Sequence, residues 1–190
     1  MNAAPPERRP PTVIVLASGR GERFRAAGGT VHKLQAALAG ATVLEHTLAA
    51  VRASGLPWHL EDVGHPGMGD SIAAAVRATA DAAGWLILPA DLPLVQPATL
   101  AAVAHALGFP MQAAQPHFRG ERGHPVGFSA ACFEPLSRLS GNQGAAPVLR
   151  ALREAGQVAD IEVDDVGVVT DIDTPAELAR AEALMRARQP

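Results

Sequence analysis

The chain is expected to fold as an α/β protein, a largely parallel sheet covered by helices, on two observations. Apolar strand-like runs alternate with helical stretches along most of its 190 residues. The length and the 48% of apolar residues are also enough to bury one full sheet as a single unit. The first eleven residues, prolines among charges, read as a flexible tail, and residues 12–190 as one domain without an internal repeat or a shift of composition.

Structure is expected to start at Thr12 with the buried strand TVIVLA. A helix follows from Val43 to Ser54, opened by the capping box Thr42-x-x-Glu45 and stopped near Gly55. Trp58-His59-Leu60 is a brief second strand, with only Leu56 to Val63 available to it. A helix is expected over Ser71 to Ala83, capped by Asp70 or Ser71, then the strand WLILPA and a helix from Pro97 to Leu107. Gly156 marks another helix end. Val168 to Asp173 reads as a last strand, ending in acid before a helix with Thr174 at its cap, Pro175 in first position and Glu177 closing a second capping box. Met111, Phe109 and Trp85 read as core.

Charge and composition exclude several classes of function. A net charge of −3 leaves no basic face for nucleic acid. One cysteine, Cys132, permits no internal disulfide, and the N-terminal segment lacks the apolar centre of a signal peptide, so the cytoplasm is the expected compartment. No segment is apolar for long enough to cross a membrane as a helix.

The strongest chemical signal lies between Val13 and Lys33. An apolar strand breaks into Ser18-Gly19-Arg20-Gly21-Glu22-Arg23-Phe24, and the chain then reaches His32-Lys33-Leu34. Glycines let backbone N–H groups approach an anion, and Arg20, Arg23, Arg25 and Lys33 bring positive charge to the same loop, which suits a nucleoside triphosphate. A dinucleotide fingerprint requires a third glycine where Phe24 stands, and no GxxxxGK[ST] motif is present.

A second signal is Leu86 to Leu94, an apolar strand followed by Asp91, the place where open α/β sheets hold ligands. Asp91 alone suits a turn as well as a metal; beside a phosphate loop the metal reading gains. Its expected partner is Asp173, left spare if Thr174 is the cap, with Asp171 on the same face but deeper; equally, Asp173 could be the cap itself. In the turn from His65 to Ser71, Gly69 and Ser71 are either contacts to base or ribose or an ordinary helix start. The loop from Arg119 to Pro125 offers anion or base contacts through Arg119, Arg122 and His124, or is simply solvated. The other histidines lack metal-ligand spacing.

Taken in order, LASGRGERF, HKL, GMGDSIAAAV, LILPADLPLV, RGHPVGF and DIDTPAEL resemble the MobA/MocA-like nucleotidyltransferases of molybdenum-cofactor biosynthesis over nearly the whole chain from Thr12. The GHP and DIDTP elements are most similar to the cytidylyltransferase branch; Ser18 matches neither that branch nor the guanylyltransferase one. The resemblance implies a three-layer α/β/α sandwich of the nucleotide-diphospho-sugar transferase type, Mg²⁺ dependence, and transfer of CMP, or else GMP, from the triphosphate to molybdopterin with loss of pyrophosphate.

It further implies that Leu16, Ala17, Ser18, Gly19, Gly21, Arg23, Lys33, Gly69 and Ser71 bind the nucleotide, with Arg23, Lys33 and Asp91 catalytic. Asp91 and Asp173 would hold the metal, and Gly123, His124 and Pro125 would lie beside the pterin acceptor. A molybdoenzyme or its chaperone is the implied protein partner. Two other readings stay open: transfer to a different small phosphorylated acceptor, and a non-catalytic nucleotide-binding accessory in molybdoenzyme maturation, against which the set Arg23, Lys33, Asp91 and Asp173 counts.

Overall fold

A computed structural model describes residues 9–188; the expected N-terminal tail falls largely outside them, although Pro11 is already buried. Nine strands and seven helices are present among these residues. In chain order they are β1 (Thr12–Leu16), α1 (Glu22–Ala26), β2 (Ala37–Leu38), β3 (Ala41–Thr42), α2 (Val43–Ala53), β4 (Trp58–Glu61), α3 (Met68–Ala78), β5 (Gly84–Pro89) and α4 (Pro97–His105). There follow β6 (Ala113–Phe118), β7 (Glu121–Arg122), β8 (Val126–Ser129), α5 (Phe133–Ser137), α6 (Ala146–Glu154), β9 (Val158–Glu162) and α7 (Pro175–Ala187).

Seven strands form one sheet in the order β4-β1-β5-β8-β6, with β7 and β9 both bonded to β6. β1 runs parallel to β4 and β5, and β9 parallel to β6, while β7 and β8 run the other way. The sheet is therefore mostly parallel, and alternate residues of one strand feed two cores. Val13 and Val15 of β1 pack with Leu86 and Leu88 of β5 under α2, α4 and α7. Ile14, Trp85 and Ile87 point the opposite way, beneath α3, α5 and α6. The result is the three-layer sandwich, and all three buried residues of the β1 centre are fully inaccessible.

Local signals explain most element boundaries. Thr42 accepts from Glu45 N while the Glu45 side chain accepts from Thr42 N, completing the capping box of α2. Gly55 and Gly156 follow α2 and α6 in the left-handed region, φ 71° and 69°, where a side chain would be strained. Several expectations are corrected. α3 starts at Met68 with Gly67 as its cap, so neither Asp70 nor Ser71 is the N-cap; Asp70 instead accepts from Gly141 N of a distant loop. The expected final strand is a 3₁₀ turn, Val166–Val169, followed by irregular chain. Trp85 is core, but Phe109 is 91% exposed at a loop tip and Met111 is only half-buried. The brief β4 is a genuine parallel neighbour of β1, at the edge of the sheet.

Candidate active site

Parallel strands deliver their carboxyl ends to one edge of a sheet, and the loops there form a cleft of about 510 Å³. The loop after β1 forms one wall. Gly21 takes φ 62° as the cap of α1, a conformation only glycine adopts cheaply, and a Cβ there would also press on the His32 ring at 3.1 Å. His32 closes the loop by bonding the Gly19 carbonyl through Nε2 at 2.8 Å, and Arg25 bonds the Arg20 carbonyl at 2.8 Å. Lys33 is thereby carried back over the mouth of the strand.

Lys33 organises the centre of the cleft. Its Nζ donates to Asp91 Oδ2 at 2.6 Å and to Asp173 Oδ1 at 2.7 Å, and Arg23 donates to Asp173 Oδ2 at 2.8 Å. Asp91 follows β5; its carbonyl accepts from Ile172 N at 3.0 Å, and Thr47 of α2 donates to the neighbouring Ala90 carbonyl at 2.9 Å. Asp173 is free for the cleft because Thr174 caps α7, and Glu177 secures the turn by accepting from Asp173 N. Asp171 is turned out to solvent, toward a shallow depression with Glu121, Glu177 and Arg180, so it does not stand deeper on the same face as expected.

The charges of this cluster support one another. Burial works against the Lys33 ammonium, yet the Asp91 charge and the hydrogen bonds to both carboxylates outweigh it and raise its pKa. The hydrogen bond from Lys33, joined by Arg23, holds the Asp173 carboxyl below its ordinary range despite partial desolvation. A raised lysine contributes stability below its unfolded value, about 10.4, that is lost as pH rises through the folded value; a depressed aspartate contributes above about 3.9, lost as pH falls through its folded value. The stability difference between the wild type and Lys33→Met should then be flat from about pH 5 to 9 and shrink below about pH 4. Urea unfolding of both across that range checks this, and a difference that disappears between about pH 6 and 8 would refute the assignment.

Of the residues expected to bind nucleotide, Leu16, Ser18, Gly19, Gly21, Arg23, Lys33 and Ser71 line the cleft, together with Asp91 and Asp173. Ser18 and Ser71 join the β1 loop to α3 through their hydroxyls, 2.8 Å apart. Ala17 and Gly69 do not line it; Gly69 is buried because a Cβ would come within 2.7 Å of the Ser140 carbonyl oxygen, a packing reason. Nor do Gly123, His124 and Pro125, expected beside an acceptor, reach the cleft. A Cβ on Gly123 would lie 2.5 Å from the Val168 carbonyl oxygen, and His124 is half-buried, with desolvation pushing its pKa down against the Asp91 charge. The GHP turn thus does not line the cleft, although the Asp91 charge reaches His124.

Sequence reasoning missed His65, Pro66, Gly67, Met68, Pro89 and Asn142 as lining residues. Asn142 arrives because the loop around Ser140–Gly141 is tied to the start of α3 by Gly69 N to Gly141 O at 2.8 Å and by Asp70 to Gly141 N. The only available signal was the turn composition of Ser140-Gly141-Asn142-Gln143-Gly144. Among the described residues no helix is long and apolar enough to cross a membrane.

A mostly parallel sheet, a glycine- and arginine-bearing loop after its first strand and paired carboxylates at its carboxyl edge suit the class of α/β proteins that hold nucleotides. A model of the MobA-like NTP transferase domain matches residues 13–158, and the chain belongs to that family. It is 36% identical over 113 residues to the purine catabolism protein PucB of Bacillus subtilis, a match covering 58% of this chain and 54% of that protein, so about half the relative's length is spanned. Among solved structures, Rv0371c of Mycobacterium tuberculosis superposes with a TM-score of 0.73 at 24% identity, covering 92% of this chain and 98% of that one. A nucleotidyl transferase from Methanothermobacter gives a TM-score of 0.76 at 21% identity, covering 94% and 98%. At these identities the structures support the fold.

Proposed function

We propose that this chain is a divalent-metal-dependent nucleotidyltransferase that moves a nucleotide, CMP in preference to GMP, from its triphosphate to molybdopterin. The observation that carries the chemistry is the Lys33 ammonium held between Asp91 and Asp173 at the mouth of the glycine loop. Two carboxylates converge there on a position already taken by a cation. Asp91 also keeps a second oxygen, Oδ1, buried without a hydrogen-bond partner among the described residues, a cost that a hard cation would offset. The residues therefore fit Mg²⁺, with Asp91 and Asp173 as its holders. Rv0371c has been solved as a complex with manganese, which supports a divalent ion as the group that binds here. When bound, the ion supplies charge neutralisation at the phosphates.

The chain's own part is alignment. Lys33 and Arg23 neutralise the triphosphate, and backbone N–H groups around Gly19 and Gly21 receive its oxygens. A phosphate oxygen of the acceptor attacks the α-phosphorus; the new P–O bond forms as the bond to the β-phosphate oxygen breaks, and pyrophosphate leaves. The nucleophile is ionised near neutral pH, so no protein base is needed. Exposed Arg20 at the mouth suits an anionic acceptor.

The molybdopterin acceptor rests on the family and on the fold shared with the molybdopterin-guanine dinucleotide biosynthesis protein A of Archaeoglobus fulgidus, at a TM-score of 0.63. The relation to PucB supports a second reading, transfer to another small phosphorylated acceptor. Pyrophosphate release with Mg²⁺, molybdopterin and each triphosphate in turn should show turnover with CTP above GTP. Turnover only with a different acceptor would select the second reading, and binding without turnover on any acceptor would leave an accessory role.

A further inference from the structure

We propose that Glu61 and His65 read the base of the bound nucleotide and select one carrying an exocyclic amine; this rests on the cleft being a nucleotide site. The sheet order sets the geometry. β4, β1 and β5 lie side by side, and their carboxyl ends present Glu61 and His65, then Ser18 and Gly19, then Asp91. Neighbouring strands are about 4.8 Å apart, so the two outer ends are roughly 10 Å apart, a span suited to the ribose between α-phosphate and base. The β5 end holds the cations and carboxylates that suit phosphates. At the β4 end the cleft is lined instead by His65, Pro66, Gly67, Met68 and Asn142, a neutral and partly apolar set that suits a planar base.

Glu61 gives this end a polarity. Its side chain is buried, 5% exposed for the residue, and its Oε1 lies 3.1 Å from His65 Nε2, with His59 Nε2 at 3.6 Å from Oε2. A carboxylate only accepts, so its partner nitrogen on His65 carries the proton. In the tautomer with its proton on Nε2 the ring keeps Nδ1 as an acceptor, and that atom has no protein hydrogen bond among the described residues. An acceptor beside a base pairs with the amine of cytosine, guanine or adenine. A keto oxygen or a bare hydrogen at the same place leaves Nδ1 unpaired, which costs on the order of tenfold to a hundredfold in affinity.

Calorimetric titration of the full chain with Mg²⁺ at pH 8, above the ordinary imidazole range, tests this with CTP against UTP and GTP against ITP, pairs that differ at the amine. In the pair that binds, the amine-bearing member should be favoured about tenfold or more by the wild type. His65→Leu should bring that ratio close to one with little change for UTP or ITP. Glu61→Gln, whose amide can donate to Nε2 and shift the ring proton to Nδ1, should narrow or invert it even where His65→Leu fails to fold. Equal binding within each pair by the wild type, or a ratio that survives either variant, overturns the assignment of Glu61 and His65. Failure of the wild type to bind any triphosphate would overturn the nucleotide reading itself, a separate result.

Discussion

Asp91→Ala should lower the rate of pyrophosphate release by on the order of 10²-fold or more, with the fold intact. The carboxylate has no role in the core: among the described residues the backbone bond at this residue, from Ile172 N, uses its carbonyl, and Lys33 retains Asp173 as partner. The substitution also removes the buried, unpartnered Oδ1, so it relieves one unfavourable contact while breaking one favourable pair. Steady-state turnover measured beside a thermal melt decides the matter. A change in rate below about threefold at an unchanged melting temperature would take Asp91 out of the reacting centre.

Asp165→Ala should have the largest effect on stability, about 3–5 kcal/mol. This carboxylate is 2% exposed for the residue and accepts from Gln96 N and Thr99 Oγ1 at 2.8 Å, Gly167 N at 2.9 Å and Arg188 Nη2 at 3.1 Å. It caps α4 from a distance, since Gln96 makes no side-chain cap of its own, and it fastens the 3₁₀ turn and the end of α7 to the same point. Alanine would leave two backbone donors and a partly buried guanidinium without their acceptor. Asp165→Asn should recover part of the loss, because the amide oxygen can still accept. Urea unfolding of both variants measures it, and a loss below about 1 kcal/mol for alanine would show that water replaces the carboxylate.

The legible parts of the fold were those written in local chemistry. Thr42 and Glu45 announce α2 because a capping box is complete within four residues, and the run from Val13 to Leu16 announces a buried strand by its composition alone. Asp165 was not legible, since apart from Gly167 its partners lie 23 to 69 residues away and its neighbours read as an ordinary acidic turn. The strand expected at Val168 was a matter of apolar residues; the 3₁₀ turn wins because Gly167 packs directly against the Leu94 carbonyl, where any side chain would collide. The start of α3 was misplaced for a related reason: Gly67 and Gly69 are glycines because the Ser140–Asn142 loop sits on them, a contact with no local trace.

The site divides the same way. Lys33, Asp91 and Asp173 were readable because strand ends, a glycine loop and a spare acid before a capped helix each signal in sequence, and the structure brings the three together. The GHP turn was conspicuous; in the structure Gly123 packs tightly against Val168 and the turn does not line the cleft. Asn142 and His65 depended on long-range assembly.

Among the described residues β4 is bonded to one neighbour, β1, while the strands carrying the glycine loop and Asp91 are enclosed on both sides. The half of the cleft that holds Lys33, Asp91 and Asp173 is thus anchored on strands paired at both sides and the opposite end on a strand paired at one. Selectivity can be re-engineered, or can drift in evolution, through the few residues from Leu56 to Val63 and the turn that follows, without reopening the chemistry next door. A library confined to that margin is the economical place to seek new nucleotide preferences.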